Sequence, residues 1–462
     1  MPSVSGPGDG LKSTEKKPAI ANMIEMRNSW YPPDNWVAFF QGKAERISMR
    51  MLVTVLFLMF LPSCKNLQTS KLQTREAVLY RQFKNSWKLF ERQRNELGVY
   101  RDSTRLNGPD GHPCSVANVG MGLVSLCIAD AMGWREDAAD AALVTLKSMN
   151  REHPSFKPAC NQSGFFRHFI DMKTGQQAWR SEFSTIDTAL LVSGALFCKE
   201  YFRREPEIAE QAGKLWKSID WSKSIADPLK GTIYLELNDA GDGEGKGVTR
   251  AFNEYMIVAW LAMKADGSRP GPASLLWKNH YADPDGLPQR KYGDYSLLTD
   301  NPRSFLSSFT IQFPFYLCHP CTTGKKYRHY FENAARADRS RFSGTAAPHA
   351  WGHGAGQAPE GYRAHNLKRN PNQVVSPHIV AGFIPALPAA KADLENLLKD
   401  KRAVYDTPAG QLLWRFSLKD ETWRANIIQG IDYSCMLLGL AALPEHLGVG
   451  FFVRNNNFSF PE

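Results

Sequence analysis

The sequence has no apolar run long enough to span a bilayer. The one stretch that could enter a membrane, Met51–Leu61, is far shorter than the roughly 20 residues a spanning helix needs, which excludes a polytopic membrane protein. There is no block of Lys and Arg and no RNP-like aromatic motif, so nucleic acid is not expected as a partner despite a net charge of +10. There is no repeat with a period of roughly 30 to 47 residues, which argues against an α-solenoid. The eight cysteines supply one CxxC, Cys318-His319-Pro320-Cys321. It lacks the second CxxC of a zinc site and the βαβ setting of a redox site, so a turn or a structural disulfide is expected there. Gly6-Pro-Gly-Asp-Gly-Leu-Lys-Ser departs from a phosphate loop by placing Leu11 before Lys12, Gly352-His-Gly-Ala-Gly has no preceding strand, and Asp239 to Glu244 lacks the spacing of a calcium hand. No cofactor and no metal is therefore expected.

What is present is a globular composition, 43% hydrophobic and 22% charged over 462 residues, enough for a substantial core. Residues 49 to 64 run from a basic residue through about a dozen apolar ones to Leu-Pro-Ser-Cys, the outline of a secretion signal ending in a lipobox. Cys64 is the expected lipidation site, and diacylglycerol plus an N-acyl chain would give two anchors in the membrane. Lys65 after the cysteine, in place of Asp, favours the outer membrane over the inner one. Translation is expected to start at Met49 or Met51, leaving residues 1–48 as a misassigned or disordered extension. The mature 399 residues then carry +8. Residues 65–75 read as a tether, 76–450 as one domain and 451–462 as a tail, in an exported monomer on the periplasmic or outer-membrane face.

Apolar residues recur at three-to-four spacing near 75–95, 115–133, 136–149, 185–203, 206–218, 251–265, 327–340, 390–400 and 428–443, which predicts helices. Around Asp187 to Cys198 the apolar face runs nearly all round, with Ser193, Gly194 and Ala195 permitting close approach. Gly231 to Leu237 reads as a strand. Long aperiodic stretches at 267–302 and 341–378 read as functional loops. With no interdomain linker between 70 and 445, an all-α domain, a toroid of paired helices or (α/α)6 barrel, accommodates the length.

Three carboxylates share one form: loop, carboxylate, apolar helix. Glu254 follows the Gly241–Gly247 loop, Asp432 lies in Gly-Ile-Asp-Tyr, and Asp187 follows Glu182 in Glu-Phe-Ser-Thr-Ile-Asp. Each has a structural alternative. Glu254 and Asp432 could complement a helix dipole, and Asp187 could be the capping-box partner of Ser184. In a helical ring, however, such positions converge at one mouth. A carboxyl held protonated beside one held ionised is the equipment of glycosidic hydrolysis. Trp351, Tyr362 and Trp414 are candidate sugar platforms in the adjoining loops.

Seven motifs in order, Ser184-Thr-Ile-Asp-Thr-Ala-Leu-Leu, Phe252-Asn-Glu-Tyr-Met, His329-Tyr-Phe-Glu-Asn-Ala, Trp351-Gly, Glu360-Gly-Tyr-Arg-Ala-His, Val375-Ser-Pro-His-Ile-Val-Ala-Gly and Gly430-Ile-Asp-Tyr, resemble the bacterial glucoamylase-like domain. Within it the sequence is most similar to the inverting endo-β-1,2-glucanases, over about residues 180 to 445. The resemblance implies an (α/α)6 barrel that hydrolyses β-1,2-glucan, with Glu254 as general acid and Asp432 as general base. It also implies that the proton travels through a substrate hydroxyl and water. By the same resemblance Glu182 and Asp187 match acidic positions near the minus subsites, and Arg363 a loop arginine that binds sugar hydroxyls. The sequence departs from that pattern at Tyr433-Ser434, where relatives carry Gln-Gly, and at the His-Gly-Ala-Gly loop after Trp351. A hydrolase or lyase of another β-glucan on the same barrel, or a non-catalytic glycan-binding lipoprotein, is the alternative expectation.

Overall fold

The computed structural model describes residues 63–106 and 110–460, with side chains described from Ala77 onward. The extension 1–48, the apolar run of the signal segment and the side chain of Cys64 lie outside the described residues. No described helix is long and apolar enough to cross a membrane.

The helices fall into two kinds, set by where their apolar residues lie. One kind is apolar on every side. It comprises α2 (Val116–Ala131), α4 (Thr185–Tyr201), α6 (Met256–Ala265), α7 (Phe309–Leu317), α9 (Pro377–Gly382) and α11 (Gly430–Ala441). Every residue of α2 from Val116 to Ala129, and every residue of α7, is buried. A helix apolar all round must be enclosed by protein, and these enclose one another. α2 packs on α4, α4 on α6, α6 on α7, α7 on α9, α9 on α11, and α11 back on α2, so the circuit closes. The α2–α4 crossing depends on two glycines. A Cβ on Gly120 would lie 2.2 Å from the Leu190 carbonyl oxygen, and one on Gly194 would lie 2.1 Å from that of Gly120.

The other kind carries a polar face and lies outside the circuit. α3 (Ala138–Met149) covers α2, α5 (Pro206–Lys217) covers α4, the short helix Pro272–Leu276 covers α6, and α10 (Ala389–Leu397) covers α9. α8 (Lys325–Ser340) reaches α7 through Phe331, stacked on Phe315 at 4.5 Å. α1 (Ser63–Gln93) covers α11, so the start of the described chain supports its last inner helix. Each fully buried Leu or Phe at these contacts contributes about 1.5–3 kcal/mol relative to exposure.

Short antiparallel strands lead into several of the inner helices, a β component that helical periodicity does not reveal. Phe183–Ser184, entering α4, pairs with Glu236–Leu237; Ile427–Gln429, entering α11, pairs with Ser103–Arg105; Cys114–Ser115, entering α2, pairs with Phe169–Ile170. The strand expected at Gly231 to Leu237 is present as Thr232–Tyr234 and Glu236–Leu237. The two long loops contain hairpins, Gln289–Tyr292 with Tyr295–Leu298 and Gln357–Ala358 with Gly361–Tyr362. Cys318 and Cys321 are buried free thiols bracketing the start of a helical turn, not a disulfide.

Candidate active site

Side chains at or beside the starts of three inner helices face a common space. Asp187 is the third residue of α4, Asp432 the third residue of α11, and Glu254 lies two residues before α6. All three line one cavity of about 440 Å³, together with Phe309 and Phe313 of α7.

At the α4 end the Ser184 hydroxyl caps the helix, accepting from the Asp187 backbone N–H at 3.2 Å, and donates to the Asp187 carboxylate. The capping role and the cavity-facing position thus belong to the same residue. His168 turns Nδ1 to Glu182 at 3.1 Å and Nε2 to Asp187 at 3.5 Å. His168, Glu182 and Asp187 bring ligand-type atoms within 4.8 Å of one another. The imidazole lies between the carboxylates with one nitrogen facing each, however, an arrangement that bridges two acids instead of turning one nitrogen and both acids toward a common ion. Glu254 is 9% exposed beside Tyr255, whose hydroxyl is pushed well above its ordinary range by burial and by the charges of Glu254, Asp187, Glu182 and Glu236.

At the α11 end Asp432 is 1% exposed. The Tyr362 hydroxyl donates to it at 3.0 Å from the Gln357–Tyr362 hairpin. Burial pushes the Asp432 carboxyl up to about 7, opposed by the Arg415 charge and the Tyr362 hydrogen bond and reinforced by Asp102. Arg415 is itself fully buried, and burial lowers it to about 10. Its Nη2 donates to the Gly354 carbonyl at 3.3 Å and lies 2.8 Å from His365 Nδ1. A guanidinium only donates, so Nδ1 is the bare nitrogen of that ring. Burial and the Arg415 charge hold His365 down to about 4.

Of the expected sugar platforms, Tyr362 lines the cavity with 52% of its surface exposed. Trp351 and Trp414 do not; both are fully buried, which corrects that expectation. Trp351 donates to Asp393 at 2.9 Å, and Trp414 donates to the Ile427 carbonyl at 2.8 Å and packs on His378 and Tyr433. A ring with no accessible face cannot stack on a sugar. Arg363 lies on the surface with Nη1 bonded to the Tyr362 carbonyl, outside the cavity lining, and Glu182 reaches the site through His168. Sequence reasoning missed Asp102, His112, His168, Trp179 and Arg415. Only Arg415 left a signal, a charge within the apolar run Leu412-Leu-Trp-Arg-Phe, the same signal that picked out the carboxylates.

No family model and no curated protein matches the chain by sequence. Solved structures do match. An endo-β-1,2-glucanase from Chitinophaga pinensis superposes with a TM-score of 0.70 at 16% identity, over 83% of this chain and 97% of that one. A presumptive glucoamylase from Bacteroides uniformis gives 0.67 at 18% identity, over 84% and 98%. A β-1,2-glucanase from Parabacteroides distasonis gives 0.65 at 17%, over 83% of this chain and 60% of that longer one. At these identities the likeness assigns architecture: the chain has the helix-rich fold of the glucoamylase-like and endo-β-1,2-glucanase structures.

Proposed function

We propose that the protein is a glycoside hydrolase, an inverting endo-β-1,2-glucanase on an (α/α)6 barrel, exported and tethered to the membrane through lipidated Cys64. The closed circuit of inner helices with helices outside it supports the barrel. The observation that carries the chemistry is the pair Glu254 and Asp432, brought from separate inner helix starts to one cavity, with Asp432 held up to about 7. Glu254 donates its proton to the glycosidic oxygen as the bond to the anomeric carbon breaks. A water attacks that carbon from the opposite face, and its proton passes, by way of a substrate hydroxyl, to Asp432. A base whose ordinary value is near 4 and whose value here is near 7 is matched to proton transfer at neutral pH. Fold likeness to glucanases supports β-1,2-glucan as the substrate.

The test is incubation of the purified protein with linear β-1,2-glucan, following product size and anomeric configuration by NMR. Short β-1,2-glucooligosaccharides released first as the α-anomer are expected. Intact β-1,2-glucan alongside cleavage of another glucan overturns the substrate, and initial release of the β-anomer overturns inversion. For the anchor, Cys64→Ala is expected to accumulate unprocessed precursor, and normal processing of that variant rules the lipobox out.

A further inference from the structure

Trp179 is 55% exposed at the cavity, and the hydrolytic chemistry proposed above makes no use of it. Its backbone lies at φ +53°, a left-handed conformation rarely adopted by a bulky residue. Neighbouring hydrogen bonds hold it there: Ala178 N–H donates to the Phe169 carbonyl and Gln177 Nε2 to the Trp179 carbonyl, both at 3.1 Å. Two rings make T-shaped contacts with the indole, Phe169 at 5.0 Å and 64° and His112 at 5.5 Å and 81°, and leave it 55% exposed.

The position of this ring in the wall is what gives it meaning. Consecutive contacts run from Asp102 to His112 at 3.7 Å, on to Trp179, to Phe169, to His168 stacked on Phe169 at 3.7 Å, and to Asp187 at 3.5 Å. Asp102 stands close enough to Asp432 for its charge to act on that carboxyl, and Asp187 acts likewise on Tyr255, next to Glu254. Trp179 therefore sits midway along a wall joining the two carboxylate ends. Beside it His112 and Asp102 also line the cavity, with His112 Nδ1 turned toward the Asp102 carboxylate at 3.7 Å. A pyranose offers an apolar C–H face for an aromatic ring and hydroxyls around its rim for polar groups, which is the combination this wall presents.

We propose that Trp179 is a sugar-stacking platform that holds the pyranose unit lying between the two carboxylate ends, with His112 and Asp102 receiving its rim hydroxyls. The proposal rests on the carbohydrate reading above. The test measures binding of β-1,2-glucooligosaccharides by calorimetry to the full protein carrying Glu254→Gln, with and without a second change. Trp179→Ala is expected to weaken binding about tenfold or more, and Trp179→Phe to recover most of it. Trp179→Gly suits the left-handed backbone and so preserves the loop while removing the ring; it is expected to lose affinity as Trp179→Ala does. Unchanged affinity in Trp179→Ala, or affinity retained by Trp179→Gly, overturns the platform and leaves the glucan reading standing. Failure of the parent Glu254→Gln protein to bind any β-1,2-glucooligosaccharide overturns both.

Discussion

Asp187 and Asp432 occupy the same place, third residue of an apolar inner helix entered by a short strand, and their surroundings make them different groups. Asp187 has a helix-capping serine and a histidine against it. Asp432 has no side-chain cap on its helix; a tyrosine hydroxyl, a buried guanidinium and nearly complete burial surround it. Ionising Asp432 removes a charge from water with only partial compensation, and its carboxyl rises accordingly. The helix start supplies the position, and the loops packed over it supply the chemistry.

The largest effects are expected at the proposed acid and base. Glu254→Gln and Asp432→Asn should each lower kcat by about 10²- to 10⁴-fold, whereas Ser184→Ala at the equivalent helix start should not approach that loss. In the wild type kcat/KM should fall as pH drops below about 7, because Asp432, the proposed base, must be ionised. Stability runs the other way. A carboxyl raised in the folded state stabilises the fold while protonated, and that contribution is lost as pH climbs from about 4, the unfolded value, to about 7. Asp432→Asn should therefore be more stable than the wild type at pH 8, by up to about 4 kcal/mol, measured by denaturant unfolding; a less stable variant would contradict the burial account.

Arg415→Met removes the cation that holds Asp432 down, so the acid limb of the rate profile should move to higher pH. The bonds to His365 and Gly354 are lost as well, costing about 1–3 kcal/mol of stability. Tyr362→Phe removes one donor from the Asp432 carboxylate and should raise the same limb by about one pH unit; an unmoved limb would detach Tyr362 from the base. The smallest effect is expected from Ser184→Ala, about 1 kcal/mol of stability from a lost helix cap with the pH profile unchanged.

Much of the helical framework was legible because burial imposes periodicity. The helices expected near 115–133, 136–149, 185–203, 206–218, 327–340 and 428–443 lie within a few residues of those observed. α7 and α9 were not legible. Phe309–Leu317 is apolar at nearly every position and contains Pro314, and Pro377–Gly382 spans fewer than two turns, so neither displays a face. The carboxylates stood out as charges in apolar company. The wall of Asp102, His112, His168 and Trp179 did not, since its members come from aperiodic loops whose strands pair across long sequence separations. The choice of Trp351 and Trp414 as sugar platforms erred for a related reason: a ring in or beside a loop can still pack inward.

The sequence by itself determined most of the longer helices, the nearly all-round apolar face from Asp187 to Cys198, and the placing of Glu254, Asp187 and Asp432 at or beside helix starts, because side-chain polarity and helical period are local properties. Only the tertiary structure decided which aromatic rings face the cavity, that Tyr362 and Arg415 attend Asp432, and that His168 bridges Glu182 and Asp187. Those outcomes depend on charge, burial and hydrogen bonding between groups 14 to 70 residues apart, which no local pattern encodes.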